Sequence, residues 1–192
     1  MLYLASQSPR RRQLLEQLGL DFTVLDVEVP EQRGVVETPG AYVSRVARAK
    51  AAAGLDLLRR AEGAMVLGAD TEVVLDHEVF GKPRDAAAAA AMLRRLSGRT
   101  HQVISTVWLI SALDERGAEC VSQVGFAELD EADIAAYVAT GESFGKAGGY
   151  AIQGRGATLV AHLHGSYSAV MGLPLFETAR LLREALRARS AD

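Results

Sequence analysis

Residues 2–19 read LYLASQSPRRRQLLEQLG: a short apolar run, a polar turn, then Leu14, Leu15 and Leu18 at helical spacing. The four residues from Leu2 to Ala5 suit a strand that enters a core. Ser8 before Pro9 is the pairing expected at a helix start. The serine hydroxyl caps a free backbone N–H, and proline, which has no N–H to lose, fits the first turn. Gly19 stops the helix. A strand that hands directly to a helix is the basic step of α/β architecture.

The rest of the chain extends that step. Phe22 to Val29 reads as a second strand, Pro30 to Glu37 as a polar loop, and Thr38-Pro39 as another capped start. The helix that follows carries Tyr42, Val43, Val46, Ala47 and Lys50 on successive turns. Met65 to Ala69 is a compact apolar strand, and its pattern resumes over Glu72 to Leu75 after Asp70-Thr71. Asp85 caps an alanine-rich helix, Ala86 to Leu96, which Gly98 ends. Gln102 to Ile110 and Ala118 to Leu129 are β-rich, and the polar turn from Asp114 to Gly117 predicts a long hairpin. Asp130 with Asp133 opens a short helix to Thr140, and a glycine-rich segment runs from Gly145 to Gly156. Strand-like residues continue through Leu163, and Pro174 starts a C-terminal helix with Phe176, Ala179, Leu182 and Leu186 on one face. The order predicts one α/β domain over residues 1–192 with both parallel and hairpin strands.

Composition removes several function classes. With 24 acidic and 21 basic residues and a net charge of −3, the chain offers no basic stripe for general nucleic-acid binding. Cys120 is the sole cysteine, so an internal disulfide or a zinc cluster of cysteines is ruled out. In its alternating segment Cys120 reads as a buried, inert thiol. The opening Met1-Leu-Tyr-Leu-Ala-Ser lacks a basic lead and a long apolar run, so no signal peptide is expected, and no segment suits a membrane span. A cytoplasmic location is the expectation.

Four segments have the residues for nucleotide chemistry. Ser6-Gln-Ser-Pro-Arg-Arg lies between strand and helix, where helix N–H groups attract anions and Ser6, Ser8, Arg10 and Arg11 add hydroxyls and forked cations. An ordinary capped helix with a solvated basic face explains those residues equally well. Asp70-Thr71 sets an acid where an apolar strand gives way, at the rim of a sheet, although such an Asp is often only a turn residue. Phe80-Gly81-Lys82-Pro83 is not a phosphate-binding Walker loop, since Asp76 stands where its first glycine belongs and Pro83 replaces the hydroxyl residue. Lys82 still provides a point charge. In Lys146-Ala-Gly-Gly-Tyr-Ala-Ile-Gln-Gly, glycines permit close backbone approach and Gln153 carries both a donor and an acceptor; a β-bulge is the plainer reading. His162 and His164 would share one strand face without a third ligand.

Together these segments resemble the Maf family of nucleotide pyrophosphatases nearly end to end. The resemblance rests on Leu4-Ala-Ser-Gln-Ser-Pro-Arg-Arg, Glu31 in Pro-Glu-Gln-Arg, Lys50, Gly68-Ala-Asp-Thr, Gly81-Lys-Pro-Arg-Asp, Leu96-Ser-Gly-Arg-Thr-His, Lys146-Ala-Gly, Ile152-Gln-Gly, Gly165-Ser-Tyr and Val170-Met-Gly-Leu-Pro-Leu, in the family's order. It implies a mixed central sheet with flanking helices and two lobes around a cleft, in the Maf and ITPase-like manner. It implies Asp70 as general base and Arg10, Thr71 and Gln153 as base-selecting positions. Asp-Thr with Ile-Gln-Gly is similar to the branch acting on dTTP and UTP. The chain departs from the family at Glu142-Ser-Phe-Gly-Lys, where Ser143 replaces proline and Gly145 replaces aspartate.

The implied reaction is hydrolysis of a nucleoside triphosphate to monophosphate and pyrophosphate, with Arg10, Arg11, Lys50 and Lys82 offsetting the triphosphate charge. Carboxylates titrate near about pH 4, so one acting as a base at neutral pH needs assistance, which a divalent ion supplies. Mg²⁺ or Mn²⁺ is therefore expected, with Glu31 and Asp70 as ligands. Two alternatives stay open: a non-catalytic nucleotide-binding regulator of cell division, and a pyrophosphatase for purine or modified nucleotides. Assembly is open as well, with a homodimer among the states allowed.

Overall fold

Seven strands form one mixed sheet in the computed structural model, which describes residues 1–59 and 61–189. The expected domain limit at residue 192 lies outside the described residues. In chain order the elements are β1 (Leu2–Ala5), α1 (Pro9–Glu16), β2 (Phe22–Leu25), α2 (Pro39–Leu57), β3 (Met65–Leu75), β4 (Glu78–Phe80), α3 (Ala86–Leu96), β5 (Thr100–Ser111), β6 (Glu115–Phe126), α4 (Glu131–Val138), β7 (Val160–His164), α5 (Tyr167–Met171) and α6 (Leu175–Arg189). The strand order is β2-β1-β3-β5-β6-β7, with β4 also on β3. β1 runs parallel to β2 and β3, and every other pairing is antiparallel. The expected mixture of parallel and hairpin strands is present.

Four local expectations change. Asp70-Thr71 does not interrupt β3, because β5 pairs without a break from Met65↔Ser111 to Val74↔Gln102. The continuous ladder satisfies the backbone there, whatever the side chains. β2 ends at Leu25 rather than Val29, since its partner β1 ends opposite it at Ala5. The hairpin turn is earlier and tighter than expected: Ser111 Oγ accepts from the N–H groups of Leu113 and Asp114, so β6 begins at Glu115. In α6 the inward face is Thr178, Leu181 and Leu182, leaving Phe176 and Leu186 exposed, because the adjacent leucines both turn to the core.

Two of the four apolar clusters among the described residues lie one after the other along the long strands. One gathers Leu4, Leu15, Leu67, Leu173 and Leu181; the other gathers Val73, Leu93, Leu96, Val124 and Ile134. β3 contributes to both, and the polar residues Asp70, Thr71 and Glu72 fall between them.

Gly68 sets how closely α2 approaches the sheet. A Cβ at this position would stand 2.3 Å from the Ala47 carbonyl oxygen and 2.5 Å from the Ala51 nitrogen. Those are backbone atoms, which cannot swing aside as a side-chain tip can. Gly68→Ala should therefore cost about 1–3 kcal/mol or more in thermal unfolding, as forced overpacking does. Gly81→Ala is the matched control, because a Cβ there meets nothing within 4 Å. Equal stability of the two variants would mean that α2 retreats freely.

Candidate active site

One edge of β3 is left uncovered in its middle. β1 pairs with it only from Met65 to Leu67, and β4 only from Val73 to Leu75. Between them lies a cavity of about 610 Å³. A cavity of that size matches a small-molecule site. Asp70, Thr71 and Glu72 line its floor. The chain after β1, the α1 start, α2, the Glu31 loop, Lys82 and the segment from Phe144 to Ile152 supply its walls.

Lys50 ties two of the acids together. Its Nζ lies 2.8 Å from Asp70 Oδ1 and 2.6 Å from Glu31 Oε1. Lys50 and Asp70 are both buried. The contact follows from the packing at Gly68, which seats α2 directly over the strand that carries Asp70. Glu31 belongs to a loop, and α2 fixes that loop as well: Tyr42 donates to the Glu31 carbonyl at 3.0 Å and Arg45 to the Gln32 carbonyl at 2.9 Å. Burial alone would raise the Glu31 carboxyl, but Lys50, and then Lys82, outweigh it and hold it below its ordinary value.

The opposite wall is basic. Ser8 caps α1 by accepting from Arg11 N–H, and Ser6 Oγ accepts from Ser8 N–H at 3.2 Å and from Arg11 Nη1 at 3.3 Å. Arg11 Nε donates to the Gly172 carbonyl at 2.8 Å, so its guanidinium is held before any ligand arrives. Burial lowers the Arg11 guanidinium from its ordinary value, while Asp70, Glu31 and Glu72 act to raise it. Five cationic side chains line the cavity (Arg10, Arg11, Lys50, Lys82 and Lys146) against three carboxyls (Glu31, Asp70 and Glu72). The excess favours an anionic ligand. Lys146 follows the Glu142-Ser-Phe-Gly departure; Glu142 is occupied elsewhere, accepting from the N–H groups of Arg155 and Gly156.

Nine of the ten residues singled out in the sequence therefore line one cavity: Ser6, Ser8, Arg10, Arg11, Glu31, Lys50, Asp70, Thr71 and Lys82. Gln153 is not among its lining residues. It is exposed, one residue beyond the wall residue Ile152, and opens a 3₁₀ turn over Gly154–Leu159. The glycine-rich segment is thus built of short turns and not of a bulged strand. His162 and His164 do share a face of β7, with ring centroids 5.5 Å apart. Among the described residues no group of three His, Cys, Asp or Glu forms a metal cage.

Two lining residues escaped the sequence reading. Glu72 is 8% exposed, and its Oε2 has no hydrogen-bond partner among the described residues. Burial, and then the neighbouring Asp70, push its carboxyl up to about 8. The signal was present, since residues 70 and 72 share one face of a strand. Tyr150 is held from behind by His101, whose Nε2 lies 2.7 Å from the phenol oxygen.

His101 gives the fold an acid limit. Burial lowers it to about 4, so the folded protein keeps it neutral where an unfolded chain would take up a proton. Its contribution is complete above the ordinary histidine value and is lost as pH falls from about 6.5 towards 4. By about pH 5.5 the loss should be about 1 kcal/mol, read as a fall in Tm that His101→Gln largely lacks. The same fall in both proteins would remove His101 as its source.

A family model described as Maf-like protein matches residues 1–185. A dTTP/UTP pyrophosphatase of Xanthomonas axonopodis pv. citri is 57% identical over 184 residues, covering 95% of this chain and 97% of its own. A nucleoside triphosphate pyrophosphatase of Xylella fastidiosa is 57% identical over 183 residues, again covering 95% and 97%. Among solved structures, the Ham1 protein of Staphylococcus aureus aligns with a TM-score of 0.45 at 13% identity, over 66% of this chain and 72% of that one.

Proposed function

The chain belongs to the Maf family, and from that premise we propose that it is a dTTP/UTP pyrophosphatase, with residues 1–192 acting as one catalytic unit. The observation that carries the reading is the Lys50 bridge between Glu31 and Asp70, set in a cavity with an excess of cations. Such a site holds a polyphosphate and keeps a carboxylate beside it.

The roles divide by wall. Arg10, Arg11 and Lys82 meet the phosphates, with Ser6 and Ser8 ordering the turn that presents the arginines. Water attacks the α-phosphorus, the bond from that phosphorus to the α–β bridging oxygen breaks, and pyrophosphate leaves. Asp70 takes the proton that the water loses. Lys50 already occupies Asp70 Oδ1, which leaves Oδ2 to accept.

The donor set also suits a divalent cation. Its oxygens are hard carboxylate ligands, and Glu72 holds a buried oxygen with no partner among the described residues. Mg²⁺ in particular is commonly held by one or two carboxylates together with substrate phosphates, so a complete protein cage is unnecessary. Asp70 and Glu31 would hold the ion. When bound it lowers the pKa of water and offsets charge on the leaving group. For the base, Thr71 lines the cavity, and Gln153, exposed one residue beyond the lining residue Ile152, is the second group assigned to it.

The test is product analysis. With Mg²⁺ or Mn²⁺ the protein should convert dTTP or UTP to monophosphate and pyrophosphate and leave diphosphates largely untouched. Release of orthophosphate with a diphosphate product would overturn the assignment.

A further inference from the structure

Ser105 lies behind the cavity floor, fully buried in β5 and directly opposite Thr71 in the β3–β5 ladder. Its Oγ is 2.6 Å from Thr71 Oγ1 and 2.6 Å from the Ala169 carbonyl oxygen. A carbonyl can only accept, so the single hydroxyl hydrogen of Ser105 is committed to Ala169. Towards Thr71, Ser105 is then an acceptor, and Thr71 is the donor. The other group within reach of the Thr71 hydroxyl among the described residues is the Gly172 carbonyl at 3.4 Å, again an acceptor only. Both partners draw the Thr71 hydrogen into the wall. What Oγ1 has left for the cavity is lone pairs.

We infer that Ser105 is a positioning residue that makes Thr71 a one-way hydrogen-bond acceptor for a base N–H, and so sets the preference for uracil and thymine over cytosine. The inference rests on the pyrimidine reading proposed above. A free threonine hydroxyl rotates and serves as donor or acceptor, so it does not distinguish the two. A hydroxyl with its hydrogen committed elsewhere does. Uracil and thymine carry a hydrogen on N3, whereas cytosine presents a lone pair there, which would face the lone pairs of Oγ1. The chemistry read is the N3–H of a pyrimidine base.

The experiment compares kcat/KM for UTP and CTP in the wild type, Ser105→Ala, Ser105→Thr and Thr71→Val, and adds UTP methylated at N3 as a wild-type substrate. The wild type should favour UTP over both CTP and the N3-methyl compound. Ser105→Ala and Thr71→Val should each reduce the UTP-to-CTP ratio by about tenfold or more, the usual effect of losing a hydrogen bond that reads a base edge. Ser105→Thr, which keeps the hydroxyl, should retain the ratio. A purely structural role would depress both substrates in parallel, and that result, or an unchanged ratio in Ser105→Ala, overturns the inference. If Ser105→Ala does not fold, Ser105→Cys makes the same comparison with a weak donor. Failure of the wild type to hydrolyse any pyrimidine triphosphate overturns the proposed function itself, whereas turnover with an unchanged ratio overturns only the role of Ser105.

Discussion

Asp70→Asn should lower kcat for UTP by about two orders of magnitude or more, the usual scale for a lost general base, while KM changes only a few-fold. The split follows from the layout of the cavity. Arg10, Arg11 and Lys82, the cavity-lining cations proposed to meet the phosphates, are untouched by the substitution. Lys50 keeps its contact with Glu31 at 2.6 Å, so it is not released into the cavity. The amide fills the same volume but cannot take a proton from water. Steady-state kinetics with pyrophosphate detection reads both constants. Near-normal kcat with a large rise in KM would make Asp70 a group that positions substrate and not one that activates water.

Lys50→Met should produce the largest loss of stability at the site. It leaves Asp70, which is only 6% exposed, without its ion-pair partner, and leaves Glu31 and Glu72 nearby with less positive charge to balance them. Removing one member of a buried pair costs about 3–5 kcal/mol, because the remaining charge stays desolvated. In a protein of this size that amounts to a Tm lower by about 10 °C. The double variant Lys50→Met with Asp70→Asn removes the stranded charge and should recover most of the loss. Two independent losses that simply add would show that the pair is not coupled. Activity should stay low in both, since neither restores the carboxylate with its cation.

Most of this site was legible in sequence because its residues stand at element boundaries, where local chemistry is distinctive. Ser8-Pro9 announces a helix start, and the arginines that follow it fall on the cavity wall. Lys50 was legible as a charge on a helix face otherwise made of Tyr42, Val43, Val46 and Ala47, although only the fold pairs it with Asp70 and Glu31. The misses have a common cause. The continuity of β3 through Asp70-Thr71 depends on β5, some thirty residues away, and no local pattern encodes a long-range ladder. Glu72 was passed over as a strand residue, because burial of its carboxyl depends on what packs over it. Ser105 is an unremarked hydroxyl within a strand until Thr71 and Ala169 are placed around it. Gln153 was singled out by its flanking glycines, and the fold sets it exposed, one residue beyond the lining residue Ile152.

The uncovered stretch of β3 also limits how this chain can vary. The cavity exists because β1 stops at Ala5 and the short return strand β4 stops at Phe80, opposite Val73. Lengthening either would carry pairing into residues 68–72 and put backbone into that space. Insertions are therefore excluded at two points that look like ordinary loop junctions, Ser6 to Ser8 and Gly81 to Pro83, and loop lengths there are as much a part of the site as its side chains. An edge of sheet kept open is normally a hazard for association with other strands. Here Arg10, Lys50, Lys82 and their neighbours line that edge, and charge of this kind opposes pairing with another strand there.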